Sequence, residues 1–216
     1  MPAHIRAARP EDRLAVSRIC LLTGNAGQSA EADHTIGSMP GYVFAEPYVA
    51  AELEPDARTF GFVLVDDDAP DTPVGYIVGT ADTRAYERVA EERWWPPLRA
   101  RHPLESTANP ELKDADKRYV KLLHKPDTAP ENVVEFAQAH MHINLLPSHQ
   151  RQGWGRRLID AAVTHLKSEG LDAVHLGIDP RNDEARKFYL KIGFERLPTE
   201  DGESYGLNFS RFSPPR

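Results

Sequence analysis

Residues 140–194 read HMHINLLPSHQRQGWGRRLIDAAVTHLKSEGLDAVHLGIDPRNDEARKFYLKIGF, and their rhythm decides the fold. His140 to Leu146 has the composition of a strand. From Gly153 to Glu169 the period becomes helical, with Leu158, Ile159, Ala162, Val163 and Leu166 on one face and Gly170 as the stop. Ala173 to Asp179 alternates Val174, Leu176 and Ile178 as a second strand, Asn182 to Lys191 is a second helix, and Gly193-Phe194 turns into a further strand. Strand, helix, strand, helix at this spacing predicts parallel pairing through a right-handed crossover.

The turn after the first strand is Gln150-Arg151-Gln152-Gly153-Trp154-Gly155-Arg156. Gly153 and Gly155 remove side chains where a ligand would approach the backbone, and the first-turn amides of a helix have no intrahelical partners. Such a helix start suits a pyrophosphate, and Arg151, Arg156 and Arg157 add positive charge there. A plain glycine-rich turn fits this stretch equally well. In the second helix Asn182 is a candidate N-cap, Asp183 and Glu184 suit the positive helix start, and Phe188 and Ile192 are expected against the sheet. Tyr189 borders that stripe, where a hydroxyl reaches a cleft edge or a satisfied place in the core.

Working outward, His4 to Arg6 reads as a strand, and Arg9-Pro10-Glu11-Asp12 leads into a helix whose apolar face is assigned to Leu14, Val16, Ile19 and Leu22, with Gly24 ending it. Residues 25–58 give no clear pattern. Phe60 to Val65 and Val74 to Gly79 form a hairpin across the polar turn 66–71. About 80–138 the pattern turns irregular: Glu87 to Glu92 is helical in composition, Trp94-Trp95-Pro96-Pro97 ends it, and a weaker helix runs from Glu111 to Leu123. So long a polar stretch reads as an insertion on one compact domain spanning 1–216.

The chain is long enough to bury a core without disulfides or a structural metal. Its one cysteine, Cys20, forms no intrachain disulfide, which fits a cytoplasmic location. A net charge of −7 argues against non-specific nucleic-acid binding, and no stretch approaches the roughly 20 apolar residues needed to cross a bilayer. The nine histidines show no coherent ligand set, and His140-x-His142 is too little for a metal site.

Gln150-x-x-Gly153-x-Gly155 at a strand-to-helix turn resembles the pyrophosphate-binding motif of the GNAT N-acetyltransferase superfamily, and Asn182 through Phe188-Tyr189 to Gly193-Phe194 resembles its second cofactor motif. The resemblance covers about the last 75 residues. It implies an α/β (α+β) fold with a mixed central sheet flanked by helices, whose fourth and fifth strands splay apart around acetyl-CoA. Leu145 and Leu146 would then face the pantetheine. Amides of Arg151, Gln152, Gly153, Trp154, Gly155 and Arg156 would hold the pyrophosphate, and Asn182 would touch the pantetheine arm. Tyr189 falls at the position of the acid that protonates the departing thiolate. A closer resemblance, carried by His142-Ile143-Asn144-Leu145, Trp94-Trp95-Pro96 and Phe188-Tyr189, is to the acetyltransferase-like domain of O-GlcNAcase enzymes, of which a bacterial relative is implied.

Direct attack needs a neutral amine, so a base must take its proton. His142 is the first candidate, with His140, Asp179 and Glu135 behind it. The face shared by His140 and His142 either lines the cleft or lies beneath a helix, and Asp179 either acts as a base or caps the turn at Pro180. Trp94 and Trp95 form either an aromatic wall of an acceptor groove or the small core holding the insert. The expected activity is acetyl transfer from acetyl-CoA to a primary amine on a small molecule, peptide or protein lysine. The alternatives are a catalytically weak or inactive module that binds acetyl-CoA, a peptide or a partner protein, and a site for another acyl-CoA.

Overall fold

The computed structural model describes residues 2–200 and 202–215. The sheet is ordered by three antiparallel neighbours, β1 (Ala3–Ala7), β2 (Thr59–Asp66) and β3 (Pro73–Thr80), followed by β4 (His140–Leu145), β5 (Ala173–Ile178), β7 (Glu203–Asn208) and β6 (Glu195–Leu197). Only β4 and β5 run parallel, joined by α7 (Trp154–Ser168). Their ladder is short, with His140 opposite His175 and the His175 amide on Ala139 O at 2.9 Å. Beyond that point the two strands diverge, as the splayed pair requires. The β6–β7 hairpin folds back so that β7, not β6, pairs with β5.

Two hydrophobic layers cover the sheet. One face packs under α7 through Leu158, Ile159, Ala162, Val163 and Leu166, and under α8 (Asp183–Lys191) through Tyr189. The other face packs under α1 (Arg13–Thr23), α2 (Met39–Phe44) and the helices that follow β3. In α1 the buried stripe is Val16, Ile19, Cys20 and Thr23, at helical spacing. Leu14 was assigned to that stripe, but it lies on another side of the helix and is 80% exposed, and Leu22 is only half-buried. The entry into α1 is held by Arg6, whose guanidinium donates to both oxygens of Asp12 at 2.7 and 2.8 Å, while the Arg9 amide donates to Asp12 at 2.8 Å.

The segment after β3 is more regular than its sequence suggests. It contains α3 (Thr83–Arg93), α4 (Trp95–Arg101), α5 (Asp114–His124) and α6 (Glu131–Phe136). Asp82 caps α3 by accepting from the Ala85 amide at 2.9 Å. Pro96 and Pro97 sit in the first turn of α4, where a missing N–H costs nothing, so the Trp-Pro stretch closes one helix and opens another. Val89, Trp94, Leu98, Tyr119, Val120 and Leu123 join the layer shared with α1. The expectation of an irregular polar stretch is therefore corrected: only its outer faces are polar.

Candidate active site

The divergence of β4 and β5 opens a cleft of about 2250 Å³. Its walls include His142 and Asn144 from β4, Asp179 and Asn182 at the β5–α8 junction, Tyr189 from α8, and Tyr119 from α5. A smaller chamber of about 260 Å³ shares Phe44, Met141 and His142 with this cleft and runs beneath α3 and α4, against Tyr48, Tyr86 and Trp95.

Side-chain direction follows from strand alternation. His140, His142 and Asn144 point to the α1–α5 layer, whereas Met141, Ile143 and Leu145 pack toward α7. The backbone alternates too. The Leu146 amide donates to Val74 O at 2.9 Å and the Leu146 carbonyl accepts from the His149 amide at 2.9 Å. Leu146, expected to face the pantetheine, is thus committed to β3 and to its own turn. By the alternation of an antiparallel ladder, Ile143 and Leu145 are the residues whose main chain faces the gap. Gln150 Nε2 donates to Leu145 O at 2.8 Å, which ties the turn to the strand.

The 150–156 turn stands at the surface and does not line the cleft. Gly153 is the N-cap of α7 with φ 86°, and a Cβ there would meet nothing within 4 Å, so glycine is demanded by backbone angle and the space above it is open. Arg151 also has positive φ, 59°. The first α7 amide to close is Arg157 on Gly153 O at 3.2 Å, leaving Trp154, Gly155 and Arg156 amides outside the helical ladder. Gln152 Nε2 donates to Ser148 O at 2.6 Å. Two of the expected cationic side chains are turned elsewhere. Arg156 donates to Ser213 O at 3.0 and 2.5 Å, and Arg157 stacks over Trp154 at 4.7 Å. Gly155 has a packing reason of its own: a Cβ there would lie 3.1 Å from the Phe188 ring. Phe188 therefore packs over the start of α7 and lies outside the cleft wall, while Tyr189 is the buried residue of α8 and Ile192, just past its end, is buried too. That reverses the expected order of the two aromatics.

Tyr189 has no hydrogen-bond partner for its hydroxyl among the described residues, and burial pushes its phenol pKa up, so it stays protonated at neutral pH. Asn182 caps α8 by accepting from the Ala185 amide at 3.0 Å, and its Nδ2 lies against Gly27, whose Cβ would be 3.3 Å away. His142 is half-buried; desolvation, with the neighbouring His175 adding to it, lowers its pKa to about 4, leaving it neutral at pH 7. Asp179 lines the cleft but accepts from the Arg181 amide at 2.9 Å and from its guanidinium at 3.0 and 2.6 Å. Those bonds hold its carboxyl below the usual range, so it is a turn-capping ion pair and a poor base. Glu135 is exposed on α6 and lines neither space. Trp94 is core: its indole N–H donates to Tyr42 O at 2.8 Å and Arg13 lies over its ring at 4.7 Å. Trp95 lines the side chamber, so the two tryptophans part company.

The sequence reading missed Tyr48 and Thr83, which meet His140 and His142, and the buried pair His34–Asp116 at 2.7 Å. Tyr48 lies 92 residues from His140 in a Pro-containing turn with no periodicity to flag it. Among the described residues no group of three or more His, Cys, Asp or Glu is placed to hold a metal, and no helix is long and apolar enough to cross a membrane.

A parallel strand pair splayed over a helix N-terminus, with a protonated phenol in the opening, defines a class. The model of the Acetyltransferase (GNAT) family matches residues 119–194. The crystal structure of SsHAT is 35% identical, covers 97% of this chain and 99% of its own, and superposes with a TM-score of 0.82. The PaiA N-acetyltransferase of Thermoplasma acidophilum, solved in complex with coenzyme A, shares the fold at TM-score 0.55 and 15% identity, over 96% of this chain and 99% of its own. The mycothiol acetyltransferase of Paenarthrobacter aurescens (strain TC1) is 38% identical over 58 residues, 27% of this chain; the match spans only 18% of that protein's length. The chain belongs to the GNAT acetyltransferase family.

Proposed function

We propose that this protein transfers an acetyl group from acetyl-CoA to a primary amine by direct attack within a ternary complex. The observation that carries the reading is that Tyr189 and His142 both line the cleft at the β4–β5 opening. The residues fit the donor. Free α7 amides and open space over Gly153 suit a pyrophosphate, and the gap-facing main chain of Ile143 and amide of Leu145 suit the amides of a pantetheine arm. Acetyl-CoA supplies the activated thioester; the protein supplies position and protons. His142 takes a proton from the amine nitrogen as the new bond forms, and Tyr189 Oη gives one to the departing sulfur.

A base with a pKa about 4 does not deprotonate a free ammonium, so the amine enters neutral. The rate, kcat/KM, then rises with pH toward the amine's own pKa and shows no inflection near 6.5. We read the helical segment between β3 and β4 as the family scaffold's insertion, and the kinship with the acetyltransferase-like domain of O-GlcNAcase enzymes as an extension of the family assignment, carried by His142–Leu145, Trp94–Pro96 and Phe188-Tyr189. The test is calorimetric titration with acetyl-CoA, followed by CoA release with a panel of amines and lysine peptides. Tyr189→Phe is expected to bind acetyl-CoA like wild type and to lower kcat roughly 100-fold or more. Tight acetyl-CoA binding with no turnover on any amine would leave a binding module in place of the enzyme.

A further inference from the structure

Tyr48 touches both histidines of β4. Its hydroxyl lies 2.7 Å from His140 Nε2 and 3.1 Å from His142 Nε2, yet it owns a single proton. The direction of the chain is set at its far end. Gln138 O, which only accepts, lies 2.8 Å from the Thr83 amide and 2.7 Å from Thr83 Oγ, so the Thr83 hydroxyl proton is committed there. Thr83 Oγ, 2.8 Å from His140 Nδ1, must then accept, which makes His140 the Nδ1–H tautomer. His140 is held neutral by burial, so its Nε2 carries a lone pair and receives the Tyr48 proton. The Tyr48 oxygen is left to accept from His142 Nε2–H. Of the four imidazole nitrogens, the one without a partner among the described residues is His142 Nδ1; it is not among the fully enclosed unpartnered atoms, and its residue lines both the cleft and the side chamber.

We propose that Tyr48 is a positioning residue: with His140 and Thr83 it fixes His142 as the Nε2–H tautomer and turns the Nδ1 lone pair toward the incoming amine. This rests on the reading of His142 as the base. A network serving only to satisfy buried groups would close on itself; this one runs in one direction and ends on a bare lone pair beside Tyr189's cleft. The Tyr48 ring is held for the task, stacked on Tyr86 at 4.7 Å and 9°. During transfer Nδ1 receives the amine proton and His142 becomes an imidazolium whose Nε2–H still points at Tyr48, so no proton needs to leave through the chain.

The experiment is long-range proton–nitrogen NMR on full-length protein labelled with ¹⁵N-histidine at pH 7. The expected result is a pyrrole-type Nε2 and pyridine-type Nδ1 for His142, and the reverse for His140. In Tyr48→Phe the His142 tautomers are expected to mix and kcat to fall roughly 10- to 100-fold, with acetyl-CoA affinity unchanged. Thr83→Val should release His140 in the same way, and Thr83→Ser should restore both tautomer and rate. His142 as Nδ1–H in the wild type overturns the inference even with full turnover, and needs no variant to fold. Unaltered kcat in Tyr48→Phe with mixed tautomers overturns the positioning role alone. Absence of wild-type turnover with the assigned tautomers instead overturns the transferase reading and, with it, the catalytic use of the chain.

Discussion

Gly153 separates backbone strain from ligand binding in a single position. Its φ of 86° is costly for any residue with a Cβ, by about 1–2 kcal/mol. No atom lies within 4 Å of the Cβ that would be added, so steric cost in the free protein is nil. Gly153→Ala should therefore lower Tm by about 2–8 °C, given roughly 2–4 °C per kcal/mol at this chain length. Gly153→Glu carries the same backbone cost and adds a carboxylate to the helix start. At about 5 Å from a phosphate, with an effective dielectric near ~20, the repulsion is about 3 kcal/mol, or roughly two decades in Kd. Calorimetry at low salt should show that loss for the Glu variant, a much smaller one for Ala, and partial recovery as salt screens the pair. A Glu variant that melts like the Ala variant but binds acetyl-CoA like wild type would refute the placement of the pyrophosphate at this turn.

Acid stability and helix packing give two further tests. Burial lowers the pKa of His140, His142 and His175, so the unfolded chain binds more protons than the folded one below the ordinary histidine value of 6.5. Stability is complete above 6.5 and falls as pH drops toward 4, on the order of 3 kcal/mol of it from the lowering of His142 from 6.5 to about 4; thermal melts from pH 7 to 4 measure it, and a flat profile contradicts the desolvation. At the α1–α2 crossing, a Cβ on Gly41 would lie 2.7 Å from Ser17 Cβ and 2.9 Å from Ser17 Cα. Gly41→Ala should cost about 1–3 kcal/mol in urea denaturation, because backbone and not a flexible tip must give way.

The second half of the fold was legible because its signals are local. Leu158 through Leu166 repeat at helical spacing over an uninterrupted run, Asn182 caps α8 from the position just before it, and Gly170 follows the end of α7 with φ 81°. Where one face of a short helix packs and prolines interrupt the run, periodicity fades, so α3 to α6 read as an irregular polar stretch although Trp94, Leu98 and Leu123 are buried. The strand β7 was missed, since Glu203, Ser204 and Gly206 dilute the alternation of Tyr205 and Leu207. Leu146 was misjudged by one position, which on a strand is the difference between the two edges. The partners of His142 were beyond reach for another reason: Tyr48 and Thr83 lie 94 and 59 positions upstream, and nothing in either local stretch announces the meeting.

The division of labour along β4 explains why chemistry and packing coexist on six residues. Even positions His140, His142 and Asn144 enter a layer that supplies hydroxyls: Tyr48 and Thr83 for the imidazoles, and Tyr76, which accepts from Asn144 Nδ2 at 2.7 Å. Odd positions Met141, Ile143 and Leu145 pack their side chains toward α7, and beyond the short β4–β5 ladder the main chain of Ile143 and the amide of Leu145 face the opening. A polar residue costs least on the face where hydroxyls already wait, and a ligand backbone pairs best where the strand has lost its neighbour. The helices after β3 thus reach the β4 histidines: α3 carries Thr83, which meets His140, and Tyr86, on which the Tyr48 ring stacks.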